Sequence, residues 1–327
     1  MARFVLLAGI LASVTAVARG YYPCAKILVA KSNSAYTAGR ALDVALKDTP
    51  SGQIVYQKLQ QALAVNPITY SDLELLFKNK NATVRDFVEF IIQDRARLIA
   101  LIDGLMNQIS PTDRVAQLLR HVRSMLTNDG GPRNERLHQI IQWYGDRPWK
   151  TREQDSHLVA FYMTNYTYIS EVMTALELRG LVYSNVHISN LIPPDKLPAF
   201  EEYLEKRGKL QLLRYELDAV TYDKRRGEMT WYEVKHYNQK FERKHRLSEI
   251  GQRVQKLQQV MSAIRNCPDL KGIFPSKIVI RYVIRGAGIG VEAQKIALQK
   301  YGVVVDDRGV ENFNSQFGVA SRSAARF

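Results

Sequence analysis

The chain has 327 residues, 46% of them apolar and 24% charged, with a formal charge of +14 at pH 7. That length and apolar content suit one large globular domain or two ordinary ones with a full buried core. Two cysteines exclude a disulfide-built scaffold, and the positive balance favours a polyanionic partner such as nucleic acid or an anionic membrane surface.

In chain order, the first feature is residues 1–18. Arg3 supplies a positive n-region, residues 4–14 an apolar h-region, and Ala16-Val17-Ala18 the small residues that a signal peptidase reads. The pattern predicts a secretory signal cleaved after Ala18, and hence an exported protein, secreted or periplasmic; an uncleaved anchor or a buried helix is the alternative. No later stretch is apolar and long enough to span a bilayer. Cys24 and Cys267 either pair in an oxidising compartment or remain as thiols, and six histidines without close-paired spacing set zinc aside.

Residues 19–194 are expected to be mainly helical. Apolar residues recur at three and four positions between Tyr36 and Trp143, and period-2 alternation is scarce. One stripe, Phe87, Phe90, Ile91, Leu98, Leu101 and Ile102, lies in a helix over 83–109. Asp113 or Thr112 caps a second over 114–126, and the breaker Asn128-Asp129-Gly130-Gly131-Pro132 precedes a short third over 135–143. A long helix over 157–178, closed by Arg179-Gly180, leads to a short strand at 181–183. No residue in this region points to chemistry, and ordinary helix packing accounts for its stripes.

From Asp195 the texture changes. The sequence predicts a helix over 195–207 ended by Gly208, strands over 209–222 and 229–237, and a basic helix over 241–265, or two helices joined near Gly251. A β-branched strand over 277–285, a helix over 291–301 and a final strand over 302–306 follow. That order predicts an α/β unit over 195–310 built on a mixed sheet flanked by helices, and then a tail over 311–327.

The chemistry sits on the first two of these strands. Asp218 lies on one apolar run, and Glu233-Val234-Lys235 on the next. Paired as a hairpin, they bring two carboxylates and a lysine together. Carboxylates are the hard oxygen ligands that Mg²⁺ takes, in ones or twos, alongside water and phosphate. Glu233 and Lys235 are two apart, so they share a face, with Val234 turned to the core. Lys235 can then orient an attacking water and offset developing charge.

Glu216-Leu217-Asp218 followed by Glu233-Val234-Lys235 resembles the PD-(D/E)xK nuclease superfamily, the restriction endonuclease-like fold, and the text from Tyr203 to Lys235 is similar to its resolvase-like branch. The resemblance covers roughly 195–307 and departs at the proline of the motif, where Leu217 stands. It implies a helix–strand–strand–strand–helix–strand core and metal-dependent hydrolysis of DNA, with Asp218 and Glu233 on Mg²⁺ (or Mn²⁺) and Lys235 catalytic. It also implies an acidic residue on the preceding helix, for which Glu201 qualifies by lying on the stripe Leu197, Phe200, Leu204. Lys224, Arg225 and Arg226 in the turn, with Lys240, Arg243 and Lys244 beyond it, are candidates for phosphate contact or a solvated face. Gln252 and Gln255 are candidates to face the site. A non-catalytic nucleic-acid-binding or interaction protein on a degenerate nuclease fold is the alternative reading.

Overall fold

The computed structural model of the protein describes residues 22–32, 44–65, 82–128, 130–148, 155–179, 181–236, 243–285 and 303–306. Among these, eight α-helices and five strands form a mixed α and β structure. The signal-like residues 1–18, the helix expected over 291–301 and the tail 311–327 lie outside the described residues.

Six helices precede the sheet: α1 Pro23–Ser32, α2 Pro50–Val65, α3 Val84–Met106, α4 Arg114–Asn128, α5 Gly130–Tyr144 and α6 Asp155–Glu177. Their starts follow local chemistry. Thr83 and Asp86 close a reciprocal capping box on α3. Asp113 caps α4, accepting the Val115 N–H at 2.9 Å and the Ser51 hydroxyl at 2.6 Å. Of the expected breaker, Asn128 ends α4, and Gly130, Gly131 and Pro132 open α5, where a proline in the first turn loses no hydrogen bond. Phe87, Ile91, Leu98 and Ile102 of α3 bury against Leu119 and Val122 of α4 and against Tyr162, Tyr166, Ile169 and Met173 of α6.

The sheet runs β1 Leu181–His187, β2 Glu216–Asp223, β3 Glu228–His236, β4 Lys277–Arg285 and β5 Val304–Asp306, in that spatial order. The first three strands are antiparallel to their neighbours; β3, β4 and β5 are parallel. Parallel pairing of β3 with β4 needs a crossover, and α8 Arg243–Asn266 supplies it as one helix continuous through Gly251. A shorter helix, α7 Leu197–Glu205, lies between β1 and β2 and ends before Gly208, whose φ of 62° only glycine adopts without strain.

Each face of the sheet has its own core. Val220, Tyr222, Met229, Trp231, Ile280 and Tyr282 bury with side chains of α7 and α8 and with Cys24 and Ala25 of α1. Ala219, Tyr232, Val234 and Val283 form the other, with Leu178 just past α6. Both cysteines are unpaired, buried thiols. No helix among the described residues is long and apolar enough to cross a membrane.

Three sequence expectations change. The sheet begins at Leu181 and packs against α6, so the α/β unit starts ahead of Asp195 rather than at it. Residues 210–214 form a 3₁₀ turn before β2 rather than its first half. Finally, β1 runs to His187, four residues beyond the expected strand.

Candidate active site

The registered pairing of β2 with β3 runs from Asp223↔Glu228 at the turn to Ala219↔Tyr232. One residue past that ladder, the Asp218 carboxylate accepts the backbone N–H of Val234 at 2.5 Å, doing the work of a strand carbonyl. Glu233 is fully buried on the face that Trp231 and Met229 share, and Val234 is buried on the opposite face, as the alternation requires.

Lys235 joins the two acids. Its Nζ lies 2.8 Å from Glu233 Oε1 and 3.9 Å from Asp218 Oδ2, and donates to the Val234 carbonyl at 3.0 Å. Arg253 of α8 reaches the same Glu233 Oε1 at 2.5 Å, and the Tyr215 hydroxyl donates to Oε2 at 3.3 Å. Asp218, Glu233 and Lys235 are therefore brought together as expected.

A further acid comes from the other side of the sheet. Glu171 of α6 is buried, and its Oε2 has no hydrogen-bond partner among the described residues. It feels the charges of Asp218, Lys235, Glu216 and Glu233.

The electrostatics follow from too many carboxyls in a dry place. Burial, helped by the charge of Asp218, raises the Glu171 carboxyl well above the usual range. Burial and the Glu233 charge push Asp218 up to about 7. Burial acts on Glu233 in the same direction, but Lys235 and Arg253 outweigh it and hold that carboxyl below its ordinary value. Burial opposes the charge on Lys235, and Glu233 and Asp218 overcome it, so the ammonium is held more firmly than in water.

Glu201 is not part of this site. It is exposed on α7, where only Phe200 and Leu204 turn fully inward and Leu197 is half-buried, so the helix's inward stripe is narrower than the sequence suggested. The further buried acid coupled to Asp218 is Glu171, on α6. A sequence signal for it existed: Ser170, Glu171, Thr174 and Glu177 recur at one-, four- and seven-residue offsets, among the apolar Val172, Met173, Ala175 and Leu176 of the second half of α6.

The expected basic cluster is also displaced. Lys224, Arg225 and Arg226 occupy the exposed turn, with Asp223 accepting the Arg225 and Arg226 backbone N–H groups. That turn is the far end of the hairpin, roughly 16 Å along the strand from Asp218 at the usual rise. Lys240 lies outside the described residues, as do the side chains of Arg243 and Lys244, which begin α8. Gln252 and Gln255 are exposed, while Arg253 reaches the carboxylates.

Among the described residues no three His, Cys, Asp or Glu side chains form a ready-made metal cage. Mg²⁺ does not need one, since it binds through one or two carboxylates and fills its octahedron with water and phosphate. Two acids, Asp218 and Glu233, converging on one ammonium form a donor set that fits a hard divalent ion taking one or two carboxylates. No family model, curated protein or solved structure matches the chain.

Proposed function

We propose that the protein is an Mg²⁺-dependent nuclease, with Mn²⁺ as an alternative ion, that hydrolyses the phosphodiester bonds of DNA. The observation that carries this reading is the meeting of Asp218 and Glu233 on Lys235 Nζ, at 3.9 and 2.8 Å, at the end of a β-hairpin. Buried charges are costly unless used, and a structural ion pair is easily replaced by apolar residues, so three retained in one place favour chemistry. The order α6, β1, α7, β2, β3, α8, β4, with α7 inserted between the first two strands, the acid on β2 and Glu-x-Lys on β3, also supports a restriction endonuclease-like core.

The residues divide the work. Asp218 and Glu233 would hold the ion, the first oriented by the Val234 N–H and the second by Tyr215. When bound, Mg²⁺ neutralises charge at the phosphate and acidifies a water. Lys235, permanently charged, orients the attacking water and offsets charge growing on the phosphate oxygens. Glu171, whose carboxyl burial raises well above the usual range, adds a buried acid on α6 whose charge is coupled to that of Asp218. The signal-like N-terminus supports action outside the cytoplasm.

Digestion of single- and double-stranded DNA and of RNA tests this reading. The wild-type protein cleaves DNA only with Mg²⁺ or Mn²⁺, and Asp218→Asn and Lys235→Met each lose at least about a hundredfold in rate. Undiminished cleavage by both variants sinks the assignment. Salt-sensitive DNA binding with no cleavage by the wild-type protein identifies instead a binding module on a degenerate fold.

A further inference from the structure

Glu233 is the most heavily engaged carboxylate of the site. Both cations sit on a single oxygen, Oε1, with Lys235 Nζ at 2.8 Å and Arg253 Nη1 at 2.5 Å, while Oε2 takes the Tyr215 hydroxyl. A carboxylate oxygen has two lone-pair directions, so a metal ion reaching Oε1 must displace one of the two.

The two cations differ in what holds them. The Lys235 side chain is 12% exposed and also contacts the Val234 carbonyl and Asp218. The Arg253 side chain is 40% exposed and comes from a helix outside the hairpin. Moving it to solvent costs little desolvation, whereas freeing Lys235 would leave a buried ammonium without its acid. Charge points the same way. Asp218 and Glu233 ionised, against Lys235 and Arg253, make a neutral group, and a divalent cation added to it leaves an excess of two positive charges. A guanidinium released there is a planar fork suited to two phosphate oxygens.

Building on the metal-dependent reading above, we propose that Arg253 is the site's exchangeable counter-ion. It occupies Glu233 in the metal-free protein, yields that oxygen to the incoming divalent cation, and turns to the phosphate of the substrate. The sequence alone places it among the basic residues of α8, with nothing to separate it from its neighbours.

Titration with Mn²⁺, followed by the loss of its free-ion electron paramagnetic resonance signal, tests the exchange without relying on activity. Arg253→Gln binds Mn²⁺ about five- to tenfold more tightly than wild type, the fold-change of one ion pair no longer competing. Lys256→Gln removes the same charge from an exposed position on the same helix and stays within about twofold of wild type. At saturating Mg²⁺, Arg253→Gln then loses about tenfold in kcat/KM on a DNA oligonucleotide, mostly through KM. Equal or weaker Mn²⁺ binding by Arg253→Gln, or equal tightening by Lys256→Gln, overturns the exchange while leaving the nuclease reading intact. Unchanged kcat/KM overturns the phosphate role. Absence of any Mn²⁺ site in wild type and variants alike overturns the metal-dependent reading and this inference together.

Discussion

Asp218 ties the chemistry of the site to the stability of the protein. Its folded carboxyl is pushed up to about 7, from an ordinary value of 3.8, by burial and the Glu233 charge. A raised acid favours the folded state most where it is protonated in both states, below about pH 4. That contribution is lost as pH rises through about 7, because the folded protein must then hold a charge that the unfolded chain carries in water. Asp218→Asn keeps the shape and an oxygen for the Val234 N–H but never ionises. It is expected to be more stable than wild type at pH 8, by on the order of 1–3 kcal/mol, with the gap closing by pH 4.5. Thermal melts across that range decide it, and a variant less stable than wild type at pH 8 refutes it. The same protonation competes with metal. Ion binding must expel the Asp218 proton below its folded value, so Mg²⁺ raises the melting temperature more at pH 8 than at pH 6. A pH-independent Mg²⁺ shift is the contrary result. At this scale the sequence was informative only where residues sit close along the chain. Glu233-x-Lys235 and Asp218 were legible because the alternation of one hairpin determines their geometry. Glu171 was marked only by the polar stripe of α6, which does not encode how that helix lies on the sheet and so which strand residues the acid meets.

At the scale of elements, legibility follows the strength of the local signal. The helix α3 was readable because its apolar stripe runs over many turns, and β4 because KIVIRYVIR has a β-branched density that favours a strand. Two elements were misread for opposite reasons. Leu210, Leu212 and Leu213 mimic a strand's apolar run, yet they close a 3₁₀ turn that buries Leu212 and Leu213 in the sheet core. The end of β1, Ser184-Asn185-Val186-His187, has weak strand formers and is strand because β2 pairs with it, Val186 opposite Leu217 and His187 opposite Glu216. Local signals also carry testable energy. The Thr83 hydroxyl accepts the Asp86 N–H, while the Asp86 carboxylate accepts the Thr83 N–H at 2.7 Å. Thr83→Ala removes half of that box and is expected to cost about 1 kcal/mol. Urea denaturation measures it as a lower midpoint at unchanged slope, and a midpoint shift below the error of the measurement counts against the box as a stabilising element.

The whole molecule turns on α6, which faces two ways. Tyr162, Tyr166, Ile169 and Met173 anchor it in the helical core, and a polar stripe faces the sheet. Ser170 meets His236 Nδ1 at 3.0 Å, Thr174 accepts Arg285 Nε at 2.8 Å, and Glu177 binds both Arg285 Nη2 and the Tyr56 hydroxyl of α2. Glu171 lies in the same stripe, so the helix that carries this buried acid is the one that joins the helical part to the sheet. This explains why the boundary drawn at Asp195 missed: the composition changes there, but the packing does not. Arg285 is the test of this coupling. It is buried on β4 and ion-paired to Glu177, and removing one partner of such a pair leaves the other desolvated and unmatched. Arg285→Ala is therefore expected to cost about 3–5 kcal/mol and to change how the protein unfolds. Far-UV circular dichroism follows mainly the helices, while the fluorescence of Trp231, buried among sheet residues and read with Trp143 and Trp149 both replaced by phenylalanine, follows the α/β core. In the wild-type protein the two transitions coincide, because α6 belongs to both cores. In Arg285→Ala the fluorescence transition moves to lower denaturant ahead of the loss of helix. Coincident transitions in the variant, at the wild-type midpoint, would show instead that the apolar contacts of α6 alone join the two parts and that its polar stripe serves only the site.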